Sequence, residues 1–235
     1  MIFYSKFEIL IFSKSCYFCR MEATFDREKH VYKSDAFEEL IKDTIRFFNG
    51  TPVHTLPPPV RFNGTGVYAI YYVGRNEYYQ DIYEQNRLEF RQPIYVGKAV
   101  PSGWRQAKDS KVGTLTFELF RRLGEHSKSV NQAKNLEMKD FFCRFMILEE
   151  SANHLIGTVE AALIRHYKPI WNTKIDGFGN HDPGSGRYNQ AKSEWDIIHP
   201  GRPWADKCVG PSSNLDLVEE KITTYFTINN NKNVS

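Results

Sequence analysis

The sequence predicts an α+β fold in which a small central sheet is flanked by helices. Two short segments, 66–74 and 94–98, are rich in tyrosine and β-branched residues and are bounded by glycine, which is typical of buried strands. The segment 140–148 is apolar with some alternation and predicts a third strand. Segments 114–126 and 152–168 carry apolar residues at helical spacing. A chain of 235 residues can bury one such core together with appended elements.

The first two strands each carry a tyrosine beside a valine and a glycine. Tyr68 lies in a Gly-Val-Tyr sequence and Tyr95 lies in a Tyr-Val-Gly sequence. Tyrosines near matching positions of two strands can bring two phenol groups into one cleft. Because tyrosine-rich strands are common in ordinary sheets, the functional interpretation depends on the segments that follow.

The helix predicted over 114–126 presents cationic groups on one face. Arg122 and His126 are four residues apart, so their side chains meet on that face. Taken alone, this spacing favours a solvated face on which Glu118 pairs with Arg122. An apolar stripe on the same helix is formed by Leu115, Leu119 and Leu123.

The helix predicted over 152–168 holds a carboxylate beside its apolar stripe. Glu160 has apolar neighbours three and four residues away, and Pro169 ends the helix. A carboxylate in this position is costly unless it is paired, protonated or bound to a metal. A bond to Arg165, His166 or a backbone group and a functional role are both open at this point.

Two further segments are expected to surround this core. Asp35 begins a predicted helix with Glu38 three residues on, as in a capping box, and Gly50 suits its end. Residues 51–66, with three consecutive prolines, are expected to form an extended loop. The buried face of the first helix is predicted to comprise Phe37, Leu40, Ile41, Ile45 and Phe48.

Six polar residues follow one another along the predicted core: Tyr68, Tyr95, Arg122, His126, Glu160 and, one turn past the last helix, Asn172. This ordered set resembles the signature of the GIY-YIG nucleases, with valines replacing the two isoleucines. The resemblance covers residues 66–172. The chain is most similar to the type II restriction endonucleases of that superfamily, because residues 47–54 and 193–205 also resemble that branch.

The resemblance implies a mostly antiparallel sheet and three regions. These are an N-terminal extension with a helical arm over 1–63, a catalytic core over 64–175, and a C-terminal extension over 176–235 that packs on the core. It also implies a site-specific deoxyribonuclease that hydrolyses phosphodiester bonds, with all six residues of the set catalytic.

The implied chemistry needs a metal and a phosphate-binding cation. Glu160 is the implied ligand of one Mg²⁺, with Mn²⁺ as a possible substitute. A site with a single protein carboxylate suits Mg²⁺, because this ion keeps several of its waters. Arg122 would hold the scissile phosphate with its forked donors.

The remaining members of the set would activate and position water. Tyr68 is the favoured residue to activate the water, and His126 either assists as a base or holds Tyr68 by a hydrogen bond. Which of the two takes the proton stays open. Tyr95 would position water or phosphate, and Asn172 would orient the site through its amide.

Several basic residues outside the set are candidates for contact with DNA. Lys98 and Arg105 lie in the basic stretch 98–113, and Arg187 and Arg202 are possible readers of guanine. The aromatic and basic insert over residues 75–92 is expected to contact DNA or a second subunit, or else to form an extended hairpin that packs on the protein.

The expected partners follow from the resemblance. One active site cuts one strand, so a homodimer acting on a palindrome in double-stranded DNA is expected. The resemblance suggests a GC-rich target such as CCGCGG and a cognate methyltransferase in the same system. The alternatives are a homing or repair nuclease of the same superfamily, a non-catalytic DNA-binding protein on the same scaffold, or an unrelated α/β protein with a fortuitous match.

Composition narrows the cellular setting. The net charge of +3 does not by itself indicate nucleic-acid binding, and no apolar run reaches membrane-spanning length. Four cysteines suggest a reducing compartment without a disulfide framework, so a cytoplasmic protein is expected.

The N-terminal residues contain a cysteine motif, a short apolar run and a second methionine. Cys16 and Cys19 form a CxxC motif without a second ligand pair, which disfavours zinc. The apolar run near the start is interrupted by Glu8 and lacks a cleavage site, which argues against a signal peptide. Met21 is a hypothetical authentic start that would leave residues 1–20 as an upstream extension.

Overall fold

The computed structural model describes residues 25–101, 104 and 116–232. The described residues do not include Cys16, Cys19 or Met21. The predictions about zinc and about the true start concern these three residues and therefore lie outside the described part. Within the described residues, no helix has both the length and the apolar character needed to cross a membrane.

The chain divides into two compact units, with the boundary between Glu38 and Glu39. The described part of the first unit contains a 3-10 helix, Arg27–His30, and the first turn of α1 (Asp35–Gly50). The second unit contains the sheet and the other helices. The division at residues 63 and 175 stays a prediction.

A four-stranded antiparallel sheet with the order β1-β4-β2-β3 forms the centre of the second unit. Its strands are β1 (Val53–Thr55), β2 (Gly66–Tyr72), β3 (Tyr95–Ala99) and β4 (Phe141–Ile147). The three predicted strands and the antiparallel sheet are confirmed. The edge strand β1 lies in the segment 51–66, which the sequence predicts to be only a loop. The sequence does not reveal this strand because three residues are too few to show a strand pattern.

Helices cover the sheet and continue to the end of the described chain. They are α2 (Gln80–Asn86), α3 (Glu118–Gln132), α4 (Ile156–Tyr167), α5 (Ile170–Thr173), α6 (Glu194–Ile198) and α7 (Leu215–Lys232). Short 3-10 helices in this unit span Glu77–Tyr79, Met138–Asp140, Glu150–Leu155, Ser185–Arg187 and Ala205–Lys207.

The central strand β2 is buried on both faces, and its alternation sorts its side chains between two apolar clusters. Tyr68, Ile70 and Tyr72 join the cluster that contains Leu119 and Leu123 of α3. Val67, Ala69 and Tyr71 join the cluster that contains Ile156, Val159 and Leu163 of α4. Burial of each such leucine or isoleucine stabilises the fold by roughly 1.5–3 kcal/mol. The alternation therefore directs Tyr68 towards α3.

The insert between the two tyrosine strands forms a helix, so the expectation of an extended hairpin is wrong. Tyr79 and Ile82 are fully buried, and Asn86 is 2% exposed. The Asn86 side chain donates to the carbonyls of Tyr72 and Gln92 and fixes the end of α2. The insert packs on the protein, and its contact with DNA or a second subunit stays a prediction.

The helix α1 is capped differently from the prediction and is covered less. Ser34 Oγ accepts the N–H of Phe37 at 3.2 Å, so Ser34 rather than Asp35 caps the helix. Of the five predicted buried apolar residues only Phe48 is fully buried, whereas Phe37 and Leu40 are 47% and 40% exposed. An amphipathic pattern shows where a helix is apolar, and it does not show that the chain covers that face.

The helices that carry the predicted site have slightly different bounds. α3 begins at Glu118, and Leu115 lies outside the described residues. A 3-10 turn precedes α4, which ends with Lys168 in the left-handed conformation (φ 48°) directly before Pro169. The spacing of the predicted site residues along both helices is unaffected.

Candidate active site

The strands β2 and β3 bring the two predicted phenols together. The ring centroids of Tyr68 and Tyr95 are 6.3 Å apart. The strand register pairs Tyr68 with Gly97, and a Cβ atom at position 97 would lie 2.6 Å from Cζ of Tyr68. The glycine of the Tyr-Val-Gly sequence is needed because the Tyr68 ring crosses the strand at this point.

The helix α3 places His126 against both phenols. The Tyr68 hydroxyl and Nε2 of His126 are 2.6 Å apart, and the His126 and Tyr95 ring centroids are 5.1 Å apart. Burial, and then the positive charge of Arg122, lowers the pKa of His126 well below its ordinary 6.5. The imidazole is therefore neutral at neutral pH and able to accept a proton at Nε2 in the appropriate tautomer.

Both phenols are protonated at neutral pH. Burial raises the pKa of Tyr68 well above its ordinary 10, with the Tyr95 phenol adding to the effect and Arg122 opposing it. Burial also raises the pKa of Tyr95, again opposed by Arg122. The negative charge of Glu160 raises both pKa values further. A cation placed near Glu160 would reverse that last contribution.

Arg122 forms hydrogen bonds within the protein, but not with the predicted partner Glu118. Its Nη1 donates to Oε2 of Glu125 at 3.0 Å and contacts Nε2 of His181, and its Nη2 donates to the Gly179 carbonyl at 3.4 Å. The expected Glu118 pairing is wrong, because Glu118 bonds Arg121 instead. The Arg122 side chain is 22% exposed. An incoming phosphate would therefore compete with Glu125.

Glu160 is paired with a lysine of the neighbouring strand. Nζ of Lys98 donates to Oε2 of Glu160 at 2.5 Å, with side chains 35% and 19% exposed. The alternative pairing with Arg165 or His166 is wrong, because those residues lie exposed at the end of α4. Lys98 Nζ is also 5.9 Å from the ring of Trp104. The carboxylate is thus held beside a partly exposed cation of the edge strand.

The donor set around Glu160 fits a hard divalent cation that keeps most of its waters. Within the described residues there is no group of three or more histidine, cysteine or acidic side chains that could surround a metal ion. A single, partly exposed carboxylate is compatible with Mg²⁺, which commonly binds through one or two carboxylates and substrate phosphate. It is incompatible with a structural zinc site of four protein ligands.

Asn172 contributes to the site through the backbone of β3. Its Oδ1 accepts the N–H of Val96 at 2.7 Å, and its Nδ2 donates to the Val96 carbonyl at 2.8 Å. These two bonds occupy backbone groups of an edge strand that would otherwise be unpaired. Asn172 therefore fixes the strand segment that carries Tyr95.

Of the four residues predicted to contact DNA, one lies at the candidate site, one is exposed, one is buried and one is outside the described residues. Lys98 lies at the site, and Arg105 lies outside the described residues. Arg187 is exposed in the short helix Ser185–Arg187. The prediction that Arg202 reads bases is wrong, because its side chain is 1% exposed and is bonded to Asp196.

A loop after α5 supplies contacts that the sequence pattern does not reveal. The Phe178 ring stacks on His126 with centroids 4.7 Å apart and meets Tyr95 edge-on at 4.9 Å. Gly179 and His181 contact Arg122. The high glycine content of this segment predicts a loop, and no spacing in the loop indicates which residues turn towards α3.

Comparison with known families agrees with this geometry. The family model described as the Eco29kI GIY-YIG domain matches residues 60–226, which include all six residues of the predicted set. A search of curated proteins finds no match to the chain. Because the family match spans well over half of the chain and contains the whole site, this chain belongs to the restriction endonuclease family of the Eco29kI GIY-YIG domain and is a nuclease with a GIY-YIG core.

Proposed function

We propose that this protein is a type II restriction endonuclease that hydrolyses phosphodiester bonds in both strands of a palindromic, GC-rich DNA site in the cytoplasm. The observation that carries the proposal is the 2.6 Å contact between Tyr68 and a neutral His126, with Arg122 and Glu160 acting on the same phenol. A protonated phenol that lies beside a neutral base, and on which charges of opposite sign act, suits proton transfer from water.

Tyr68 and His126 are proposed to act as one proton-accepting unit. As water attacks phosphorus, the new P–O bond forms while the P–O bond to the leaving oxygen breaks. The Tyr68 oxygen accepts the proton of the water, and the Tyr68 proton moves to Nε2 of His126. The products of this step are a phosphate monoester, a neutral phenol, an imidazolium and a leaving alkoxide that takes a proton from solvent. The alternative is that His126 accepts the proton directly while Tyr68 positions the water. Tyr95 lines the same space and restricts where the water lies.

Two cations are proposed to receive the phosphate. Arg122 offers a forked set of donors to the non-bridging oxygens once Glu125 and His181 yield to the substrate. Lys98 lies across the site at Glu160 and offers a compact charge to the phosphate or to the leaving oxygen. Together they stabilise negative charge that grows in the transition state.

One Mg²⁺ per active site, with Mn²⁺ as a substitute, is proposed to be held by Glu160. When bound, this ion supplies positive charge to the phosphoryl oxygens and makes nearby water more acidic. The proposal is supported by the single partly exposed carboxylate, which suits an ion that keeps most of its waters.

The proposed biological unit is a homodimer, because one such site cuts one strand and a palindrome presents two equivalent strands. The exposed Arg187 is the remaining arginine proposed to read guanine, and Arg105 stays a proposed backbone contact. A methyltransferase of the same specificity would protect the host DNA. A target such as CCGCGG is part of this proposal.

The test is digestion of unmethylated plasmid DNA by the purified protein, with Mg²⁺ or with a chelator, beside Glu160→Ala and the exposed control Glu39→Ala. We expect discrete fragments that require the metal and Glu160, while Glu160→Ala still binds DNA. Sequencing of the fragment ends would identify the target, and sedimentation would give the oligomeric state.

Other outcomes would contradict parts of the proposal. Full cleavage by Glu160→Ala would contradict the assignment of Glu160 as the ligand of the metal ion. A continuous smear of fragments would indicate a nuclease without site specificity. Binding without cleavage by the wild-type protein would favour a DNA-binding role on the same scaffold.

A further inference from the structure

A buried ion pair in the C-terminal extension lies behind the candidate active site. Arg202 and Asp196 are each 1% exposed, and the guanidinium donates from Nε and Nη2 to the two carboxylate oxygens at 2.6 Å. Ser193 Oγ donates to the same carboxylate at 2.7 Å. The rings of Trp195 and Trp204 lie 4.5 and 4.6 Å from the guanidinium carbon. The position of Arg202 is therefore fixed by charge and by packing.

The other donor contacts of Arg202 go to one short loop. Its Nη2 donates to the Gly177 carbonyl at 2.9 Å, and its Nη1 donates to the carbonyls of Phe178 and Asn180, both at 3.2 Å. Three of the four carbonyls of residues 177–180 thus bind one guanidinium. Gly177 has φ +96°, a conformation that favours glycine and that turns the chain towards this group.

The same loop forms one wall of the active site. The Phe178 ring packs on His126 and Tyr95, and the Gly179 carbonyl accepts from Arg122. A Cβ atom at Gly179 would lie 2.9 Å from the Tyr95 hydroxyl. A shift of the loop would therefore move the surroundings of three proposed catalytic residues at once.

Stability alone does not require an ion pair at this place. Replacement of a buried ion pair by apolar residues of similar volume is often neutral or stabilising. Apolar side chains, however, cannot bind three backbone carbonyls. The particular contribution of Arg202 is the geometry of the loop.

We propose that Arg202, held by Asp196, is a positioning residue of this nuclease. Arg202 holds residues 177–180 so that Phe178 keeps His126 against Tyr68 and the Gly179 carbonyl orients Arg122. This role rests on the proposed function for its effect on cleavage, and on the structure alone for its effect on the His126 ring.

The test uses two variants that preserve folding in different ways. Arg202→Lys keeps the charge beside Asp196 but loses the fork of donors. The double variant Asp196→Leu with Arg202→Met removes both charges and leaves an apolar interior. The control is Lys192→Gln, which removes the partly exposed Lys192–Asp206 pair (2.7 Å) in the same extension.

Three quantities are measured on each protein: the thermal midpoint, the affinity for DNA without divalent metal, and the single-turnover cleavage rate with Mg²⁺. We expect both Arg202 variants to cleave about 10-fold to 100-fold more slowly, because small displacements of catalytic groups have effects of this size. DNA affinity is expected to stay within about threefold. The double variant is expected to have a lower midpoint than the wild type but to remain folded at the assay temperature, because the loop carbonyls lose their donor although no charge is left unpaired. Lys192→Gln should match the wild type in all three quantities.

A double-mutant cycle with Phe178→Leu shows whether the effect passes through the loop. If it does, adding Phe178→Leu to Arg202→Lys lowers the rate by clearly less than the product of the two single effects. Wild-type cleavage rates in both Arg202 variants, or strictly multiplicative effects, would overturn the positioning role.

A readout independent of cleavage separates this proposal from the proposed function. The stacked Phe178 ring shifts the NMR signals of the His126 ring protons, which are assigned by their loss in His126→Gln. We expect these signals to move towards unstacked values in Arg202→Lys and to stay in place in Lys192→Gln. If the wild-type protein does not cleave DNA, the proposed function fails, and unchanged His126 signals in Arg202→Lys would separately overturn the positioning role.

Discussion

Two tyrosine–histidine pairs in the part of the chain that the structure describes have nearly identical geometry in different surroundings. The Tyr68 hydroxyl is 2.6 Å from Nε2 of His126, and the Tyr79 hydroxyl is 2.6 Å from Nε2 of His199. All four rings are buried, and burial lowers the pKa of both histidines, that of His199 to about 3.

The two pairs differ in what else their atoms touch. Tyr79 also accepts from Nε1 of Trp171, and Nδ1 of His199 bonds Oδ1 of Asn135, so uncharged partners occupy the second pair. The Tyr68 pair instead lies where Arg122 and Glu160 act on the phenol with opposite signs. We therefore propose that the Tyr68 contact serves chemistry and the Tyr79 contact serves packing, because only the first lies beside partly exposed charges.

The largest expected effect follows from removing one of those charges. Arg122→Ala should lower the single-turnover cleavage rate by about 10²–10³-fold, because a donor directed at developing charge is lost. The control is Arg46→Ala, since Arg46 is 77% exposed and pairs on the surface with Asp43. Equal losses in the two variants would show that general positive charge, rather than the charge beside Tyr68, matters.

The Tyr79–His199 pair is expected to make the free energy of unfolding decrease at acidic pH. His199 has a folded pKa of about 3, below its ordinary 6.5, so the unfolded chain binds the extra proton as the pH falls from 6.5 towards 3. The free energy of unfolding should fall over this range, by on the order of a few kcal/mol from this residue. Urea titrations of His199→Gln should show a shallower decline, whereas the exposed control His166→Gln should follow the wild type.

A smaller effect is expected for Asn172, whose side-chain amide bonds the backbone of β3, the strand that carries Tyr95. Asn172→Asp keeps an acceptor for the Val96 N–H but presents a carboxylate to the Val96 carbonyl. We expect a loss of about 1–3 kcal/mol in the free energy of unfolding, with the exposed control Asn131→Asp nearly unchanged. An unaltered stability of Asn172→Asp would mean that these two bonds do not hold β3.

The smallest effect is expected for Glu125, which competes with phosphate for Arg122. Glu125→Gln weakens the grip on Arg122 and should tighten metal-free DNA binding by about twofold to fivefold, the range of a partly exposed ion pair. Fluorescence anisotropy with a labelled duplex measures this change. Glu118→Gln is the control, because Glu118 bonds Arg121, and weaker binding by Glu125→Gln would contradict the competition.

Local patterns in the sequence predicted three of the four strands, the helices α1, α3 and α4, and the residues of the candidate site. Strand alternation placed Tyr68 in the core, and the four-residue spacing placed His126 one turn beyond Arg122 on α3. Such patterns describe one element at a time.

Contacts between distant elements are what the patterns could not supply. The Lys98–Glu160 pair joins residues 62 positions apart, and nothing in the spacing of α4 points to a lysine on β3. The burial of Arg202 depends on Asp196 and on the loop carbonyls, whereas arginine is usually exposed. The prediction that Arg202 reads guanine follows from the chemistry of arginine, which does not reveal these partners. The Phe178 contact is likewise visible only when the loop is in place.

The most direct measurement compares Tyr68→Phe with Tyr79→Phe, each of which loses one hydroxyl from a similar pair. Single-turnover cleavage with Mg²⁺ and the free energy of unfolding are measured on both. We predict that Tyr68→Phe cleaves about 10²–10⁴-fold more slowly. Tyr79→Phe should cleave within about twofold of wild type and lose about 1–3 kcal/mol of stability, because it leaves His199 and Trp171 without a buried partner. Wild-type cleavage by Tyr68→Phe, or an equal loss of cleavage in fully folded Tyr79→Phe, would contradict the assignment of the chemistry to the Tyr68 pair.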